Sequence, residues 1–222
     1  MYKNKKIAAL IFLREDSSRV QNKNLRDFHG KPLFHIILET LKNSQYIDQI
    51  IVNTPSQKII DGCNDLNVKT HRRPDWLDAV NTNEANAIID YDLSLLPFDY
   101  YIQTHSTNPL LTQQTIDNSI QIFFENMDSH DSLFTVTPFK KRFYKSDFSS
   151  INHNHDSLKP TQEIEPVLME NSCIYIFSKK SFLNKKNRIG SKPYVYEMNF
   201  FESIDIDTEE DFKLAKIAKD LV

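Results

Sequence analysis

The chain has 222 residues, 40% hydrophobic and 26% charged, with a formal net charge of −3. That length carries one substantial core, and that charge excludes a general nucleic-acid coat, so cations in any site must be local concentrations. No apolar run approaches the roughly 20 residues that span a bilayer, and two cysteines, Cys63 and Cys173, make neither a disulfide framework nor a metal knuckle. A single domain over 1–222 is expected, cytoplasmic, with neither nucleic acid nor membrane as a partner. The N-terminus MYKNKK is basic, but the apolar stretch behind it breaks at Arg14 without a small-residue cleavage site, so no signal peptide is expected.

Residues 6–13 read as a buried strand, apolar nearly throughout. It empties into a loop carrying Arg14, Ser17, Ser18, Arg19, Lys23 and Asn24. A first strand that delivers cations and hydrogen-bond donors to its carboxyl end commonly builds an anion site, most often for phosphate. Residues 31–43 have helical spacing at Leu33, Ile36, Ile37, Thr40 and Leu41, with Pro32 suited to the helix start. Strand 49–54, helix 56–66 and a short strand 67–71 follow, the last ending at Arg72-Arg73-Pro74. Helix 83–96, strand 99–103, helix 112–127 and strand 131–137 continue the alternation. Strands alternating with helices of this length imply right-handed crossovers and an α/β fold, its sheet mostly parallel with helices on both faces.

The rhythm breaks over 139–200, which is polar and aromatic at first and regains strand signals at 173–177 and 194–197, with a further strand over 201–206. The expectation is a small, partly β excursion from the main sheet that covers a site or makes a subunit contact. The chain closes on a helix capped by Asp207 or Thr208.

Asp205 and Asp207, one residue apart on an expected strand, would share a face, and two adjacent carboxylates repel unless a cation lies between them. Oxygen ligands suit Mg²⁺. Asp211, one helical turn on, is either a third ligand or a favourable charge at a helix start. The Arg14 loop and Arg72-Arg73 fall at the carboxyl ends of parallel strands, where open α/β sheets bind ligands. The loop has neither the GxxxxGK[ST] nor the GxGxxG pattern, and the chain contains only Gly30, Gly62 and Gly190. His105, His153 and His155 invite a metal reading, but a solvated His153/His155 pair is the plainer one, and no Ser–His–Asp order is recognisable.

Taken end to end, the chain resembles the acylneuraminate cytidylyltransferase family, which makes CMP-activated sialic acids and related 2-keto sugar acids. The family's R-x-G-S-K-x-x-x-x-K-N loop and G-K-P-L are matched by Arg14, Ser17, Lys23-Asn24 and Gly30-Lys31-Pro32-Leu33. Its R-R-P is Arg72-Arg73-Pro74, and its Q-x-T-x-P-L resembles Gln103 with Thr107-Asn108-Pro109-Leu110. Its E-N-G-x-I-Y is Glu170-Asn171-Ser172-Cys173-Ile174-Tyr175, and its closing I-D-I-D-x-x-x-D-F is residues 204–207 with Asp211-Phe212. The resemblance implies a Rossmann-like, nucleotide-diphospho-sugar transferase-like fold. It also implies transfer of CMP from CTP to the anomeric hydroxyl of a 2-keto sugar acid, with release of pyrophosphate.

By the same resemblance Arg14, Ser17 and Lys23 hold the CTP phosphates, and Arg14, Lys23, Asp205 and Asp207 form the catalytic set. Asn24 and Arg72 or Arg73 lie near the cytidine, with Thr82 and Asn83 close to base or ribose. Gln103, Lys141 or Arg142, and Gln162 face the sugar acid, and Asp205 and Asp207 carry Mg²⁺. The excursion over 139–200 makes a homodimer. Three positions depart from the pattern: Asp16 replaces the loop glycine, Ser18 its lysine, with Arg19 as the expected substitute, and Pro55 an aspartate. The alternatives that remain are 3-deoxy-octulosonate or another acceptor, and a catalytically silent relative that binds nucleotide or sugar.

Overall fold

The computed structural model of the chain describes residues 1–17, 19–79, 85–157 and 159–221. The first strand, β1 (Ile7–Phe12), is followed by a small hairpin of β2 (Asp27–Phe28) and β3 (Lys31–Pro32). Its turn is His29-Gly30, with positive φ at both residues, 53° and 80°. That is the geometry a two-residue hairpin favours and glycine tolerates. Then come α1 (Leu33–Lys42), β4 (Gln49–Thr54), α2 (Gln57–Asp65), β5 (Lys69–Arg72), α3 (Asp75–Ala79), α4 (Ala85–Leu95), β6 (Tyr100–Thr104) and α5 (Gln113–Glu125). The chain ends with β7 (Ser132–Phe139), β8 (Val167–Ser178), α6 (Lys179–Lys185), β9 (Pro193–Glu197) and α7 (Glu209–Lys219).

Seven strands form one sheet in the order β5-β4-β1-β6-β8-β7-β9. Only β8 runs against its neighbours; the other adjacent pairs are parallel. The expected α/β class is therefore the observed one. Because β1 is central, its alternate side chains feed two cores. Ile7, Ala9 and Ile11 pack with Phe34 and Ile37 of α1, Ile59 of α2 and Ile116 of α5. Ala8 and Leu10 face Ile89 and Leu93 of α4 and Phe182 of α6. This is why the strand reads as a continuous apolar run. A third cluster packs Phe212 and Ala215 of α7 on Val20, Phe28, Ile204 and Ile206.

Two expectations are corrected. The excursion is shorter than 139–200: the 173–177 signal belongs to β8, a 12-residue strand in the main sheet between β6 and β7, and 194–197 is the edge strand β9. Among the described residues the long non-sheet stretch of the excursion lies between Phe139 and Val167, and α6 with its flanking loop separates β8 from β9. The helical rhythm broke because α6 is short and the two strands flanking it return to the sheet. The 201–206 strand does not form; this segment is held at Ile206, whose N–H donates to Thr107 O at 2.9 Å.

The chain runs from β1 outward to β4 and β5, then returns to β6 on the other side of β1. That reversal opens a crevice at the carboxyl ends of β1 and β6. At the opposite, amino edge of the sheet the loop after α6 is pinned by Asp131, whose carboxylate accepts from the N–H groups of Ser191 and Lys192 at 2.8 and 2.9 Å, while Gly190 N–H donates to Ser132 Oγ at 2.8 Å. A Cβ at Gly190 would lie 2.2 Å from Asp131 Oδ1. Gly190→Ala is expected to displace that carboxylate, break its two loop contacts and cost about 1–3 kcal/mol. Urea unfolding checks this, with the slope unchanged and the midpoint lowered.

Candidate functional site

The loop after β1 turns on Asn22, whose φ is 50°, into a short 3₁₀ turn that buries Lys23 and Asn24. Lys23 Nζ donates to Ile206 O at 2.5 Å and lies 3.9 Å from Asp207 Oδ1. Burial pulls the Lys23 ammonium below its ordinary value, against the opposing field of Asp205 and Asp207. Arg19 Nη2 pairs with Asp207 Oδ1 at 2.7 Å, both side chains well exposed. Such a pair adds little stability and can exchange for a stronger anion.

Asp205 and Asp207 share a side even without a strand. Ile204 and Ile206 point into the third cluster, which leaves the two aspartates facing the other way. Asp205 Oδ1 is buried without a hydrogen-bond partner, and burial foremost, with Asp207 as a lesser cause, raises its carboxyl above the ordinary value. An orphaned carboxylate oxygen beside a second carboxylate suits a hard cation, with the Lys23 ammonium as the opposing charge. Asp211 serves the start of α7: its Oδ2 accepts from Thr208 N at 2.8 Å and Asp207 N at 3.1 Å, capping the helix with Thr208. Among the described residues there is no group of three or more His, Cys, Asp or Glu placed to hold a metal.

The other flank of the crevice is built on Arg73, 3% exposed. Its guanidinium donates to Asn53 Oδ1 (2.8 Å), Asn53 O (3.0 Å) and Leu13 O (3.3 Å), and pairs with Asp78 Oδ1 at 3.0 Å. Arg14 Nε pairs with the same Asp78 oxygen at 3.1 Å. Arg14 and Arg73 line a cavity of about 180 Å³ with Phe12, Ala85, Ile88 and His105. Arg72 does not join them. Alternation at the strand end turns it outward to Gln57 Oε1 at 2.9 Å, so of the two arginines it is Arg73 that reaches the crevice. Behind Arg73, Asn53 Nδ2 donates to Asp92 Oδ1 at 2.9 Å, and His71 Nδ1 lies 2.8 Å from the same oxygen.

Asn24 works as a clamp, donating to Arg14 O at 2.7 Å and accepting from Ser106 Oγ at 2.6 Å, which joins the loop to the end of β6. Ser17 is half-buried in the loop, its Oγ 3.5 Å from Val20 N. Asp16 points into solvent, and its charge acts on Lys58. Pro55 precedes Ser56, which caps α2 and donates to Glu15 Oε2 at 2.8 Å. Ser18, Thr82 and Asn83 lie outside the described residues. Gln103 is fully buried beside His105, 2.9 Å from Gln103 Nε2 to His105 Nε2. Lys141, Arg142 and Gln162 sit on the segment outside the sheet, where Arg142 Nη2 donates to Lys159 O and Lys141 O accepts from Asn152 Nδ2, each at 2.8 Å. His153 and His155 pack edge-to-face against Tyr144 as aromatic rings, centroids 4.8 and 5.5 Å away.

Sequence reading missed Asp78, Asp92 and Arg188. Asp92 did leave a signal, a carboxylate one turn after Ile88 on the inward face of α4. Arg188, in a loop without periodicity, left none; its Nη1 donates to Gln103 Oε1 at 2.6 Å.

Comparison with known proteins agrees with this architecture. A family model described as cytidylyltransferase matches residues 8–221. A pseudaminic acid cytidylyltransferase and UDP-2,4-diacetamido-2,4,6-trideoxy-beta-L-altropyranose hydrolase of Helicobacter pylori is 23% identical over 94% of this chain and 41% of its own length. An N-acylneuraminate cytidylyltransferase of Streptococcus agalactiae is 23% identical over 91% of this chain and 51% of its own. The chain thus spans about half the length of these two relatives. A pseudaminic acid cytidylyltransferase of Campylobacter jejuni is 22% identical over 94% of both chains. Among solved structures, a CMP:2-keto-3-deoxy-manno-octonic acid synthetase complexed with CTP superposes with a TM-score of 0.71 over 98% of this chain and 99% of its own, at 12% identity.

His105 is held neutral: burial first, then the charges of Arg188 and Lys23, push it down to about 3 from an ordinary 6.5. Unfolding restores a group that protonates below pH 6.5, so the folded state loses stability as pH falls from there towards 3, by up to about 1.4 kcal/mol per pH unit. Denaturant unfolding at pH 7, 6 and 5 is expected to give a shallower pH dependence for His105→Gln than for the wild type.

Proposed function

Since this chain belongs to the cytidylyltransferase family, we propose that it transfers CMP from CTP to the anomeric hydroxyl of a 2-keto sugar acid of the sialic or related nonulosonic type, releasing pyrophosphate. The observation that carries the reading is the convergence of Arg14, Lys23, Arg19 and Arg73 on one crevice beside the unpartnered oxygen of Asp205. In a protein of net charge −3, four cations that share Asp78 and Asp207 make a local positive excess, which fits an anionic ligand.

In-line attack at the α-phosphorus concentrates negative charge on the phosphoryl oxygens. Lys23 and Arg19, already within reach of Asp207, would exchange that carboxylate for phosphate oxygens. Arg14 would present its guanidinium from the opposite wall, braced by Asp78. The cavity formed by Phe12, Ala85, Ile88, His105, Arg14 and Arg73 would take the base, with Arg73 fixed by Asn53. Asp205 and Asp207 are the residues that would hold Mg²⁺. When bound, the ion would neutralise charge on the triphosphate. Most of the rate would come from positioning and preorganised charge.

The named activities of the relatives support this acceptor class, and Gln103, buried beside His105, is the residue the proposal sets nearest to it. Homodimerisation is part of the same proposal. Phe200 and Phe201 are each 50% exposed, and Phe139 packs its ring 5.9 Å from Phe200 and 6.2 Å from Phe143, next to exposed Leu168 and Met169 of β8. An apolar patch of this kind fits a subunit contact.

The direct test is pyrophosphate release with each of the four nucleoside triphosphates against a panel of 2-keto sugar acids. CTP alone is expected to support turnover. Lys23→Met is expected to lower kcat/KM about 10²–10³-fold while circular dichroism stays native; retention of turnover would remove Lys23 from the site. Sedimentation at micromolar concentration is expected to give a dimer, and Phe200→Glu a monomer.

A further inference from the structure

Three side chains from separate elements meet beside the crevice: Gln103 near the end of β6, Tyr175 in the middle of β8 and Arg188 in the loop after α6. The Arg188 guanidinium carbon lies 3.6 Å from the Tyr175 ring centroid, close enough for the plane of the cation to rest on the ring face. Its Nη1 donates to Gln103 Oε1 at 2.6 Å. Gln103 cannot turn away, because its Nε2 donates to Thr104 O at 3.1 Å and lies 2.9 Å from His105 Nε2. The backbone behind Arg188 is equally fixed. Its N–H donates to Asn86 Oδ1 at 3.1 Å, Ile189 N–H to Asn187 Oδ1 at 2.8 Å and Gly190 N–H to Ser132 Oγ at 2.8 Å.

The fork is thus held in place by neutral groups. Among the described residues no carboxylate lies within ion-pair distance of it; the nearby Glu170 gives its carboxylate to the Tyr175 hydroxyl. Burial lowers the Arg188 pKa from its ordinary value, which marks a cation drawn partly out of water. A guanidinium with five N–H donors, oriented and partly desolvated, with the Glu170 charge acting on it only from beyond ion-pair distance, has room for an anion in direct contact. The carboxylate is the anion whose two oxygens match a planar fork. Position points the same way. The charges of both Lys23 and Arg188 act on His105, so an anion on Arg188 would lie in the same neighbourhood as the cation assigned above to phosphate.

We infer that Arg188 is the acceptor-recognition residue: its fork binds the carboxylate of the sugar acid, with Gln103 and Tyr175 presenting it. The inference rests on the reading of the acceptor as a 2-keto sugar acid. It adds a residue to which neither motif nor comparison assigns a role. It also predicts a preference for the free acid over its neutral derivatives.

The experiment measures pyrophosphate release by the wild type, Arg188→Gln and Arg188→Lys with N-acetylneuraminic acid, pseudaminic acid and 2-keto-3-deoxy-manno-octonic acid, and with the methyl ester of whichever acid the wild type uses best. Arg188→Gln is expected to raise the KM for the acid about 10- to 100-fold, with the KM for CTP unchanged within about twofold. The wild type is expected to lose a comparable factor on the ester, and Arg188→Gln to treat acid and ester alike. Arg188→Lys, which keeps the charge but not the fork, should recover only part of the preference. An acid-to-ester ratio in Arg188→Gln equal to the wild type's overturns the assignment. If Arg188→Gln misfolds, a folded Arg188→Lys with the wild-type ratio does the same. A wild type that releases no pyrophosphate with any of the three acids overturns the proposed function, and the Arg188 assignment with it. A wild type that is active but discriminates no better than its variants overturns Arg188 alone.

Discussion

Lys23, Arg73 and Arg188 are drawn out of water along one edge of the sheet, and the form of the crevice follows from how each is compensated. Arg73 is answered completely, by Asp78, two backbone carbonyls and Asn53. Removing one partner of so buried a pair leaves an uncompensated charge and typically costs about 3–5 kcal/mol. This guanidinium therefore fixes the ends of β1 and β4 against α3, and the Arg14 wall is braced on the same aspartate. Lys23 is answered in part, by one carbonyl and the distant charge of Asp207. Arg188 has neutral partners in contact and the charge of Glu170 only at a distance. The cations become progressively less neutralised from the structural wall towards the open site, and that gradient is what a polyanion would meet.

The carboxylates show the complementary arrangement. Asp211 and Asp131 spend their oxygens on backbone N–H groups, capping α7 and pinning the loop after α6. Both carboxyls lie below the ordinary value. Asp205 keeps an oxygen unspent and lies above it. Residues of one type thus divide into scaffold and site by their hydrogen bonds alone. The departures at Asp16 and Pro55 are placed consistently with this. Asp16 faces solvent near Lys58, clear of the cation cluster, and Arg19 reaches Asp207 from further along the same loop. Pro55 leads into the Ser56 cap of α2.

The sequence by itself determined what depends on local pattern. The apolar run of β1 requires burial on both faces, and strand–helix alternation then requires parallel crossovers, so the α/β class and the carboxyl-edge location of the Arg14 loop were legible. So was the outward pairing of Asp205 and Asp207, though through the alternation of Ile204 and Ile206 into a core and not through a strand. Only the tertiary structure decided what depends on contacts distant in sequence. It inserted β8 between β6 and β7 and so shortened the excursion. It chose Arg73 over Arg72, because one residue of alternation at a strand end reverses direction. It set Asp78 between Arg14 and Arg73, which belong to different strand ends, and brought Arg188 to Gln103 from beyond two further strands of the sheet. Periodicity encodes which face of an element is buried. It carries no record of which polar side chain another element will deliver to that face, because that pairing is fixed only when the elements pack.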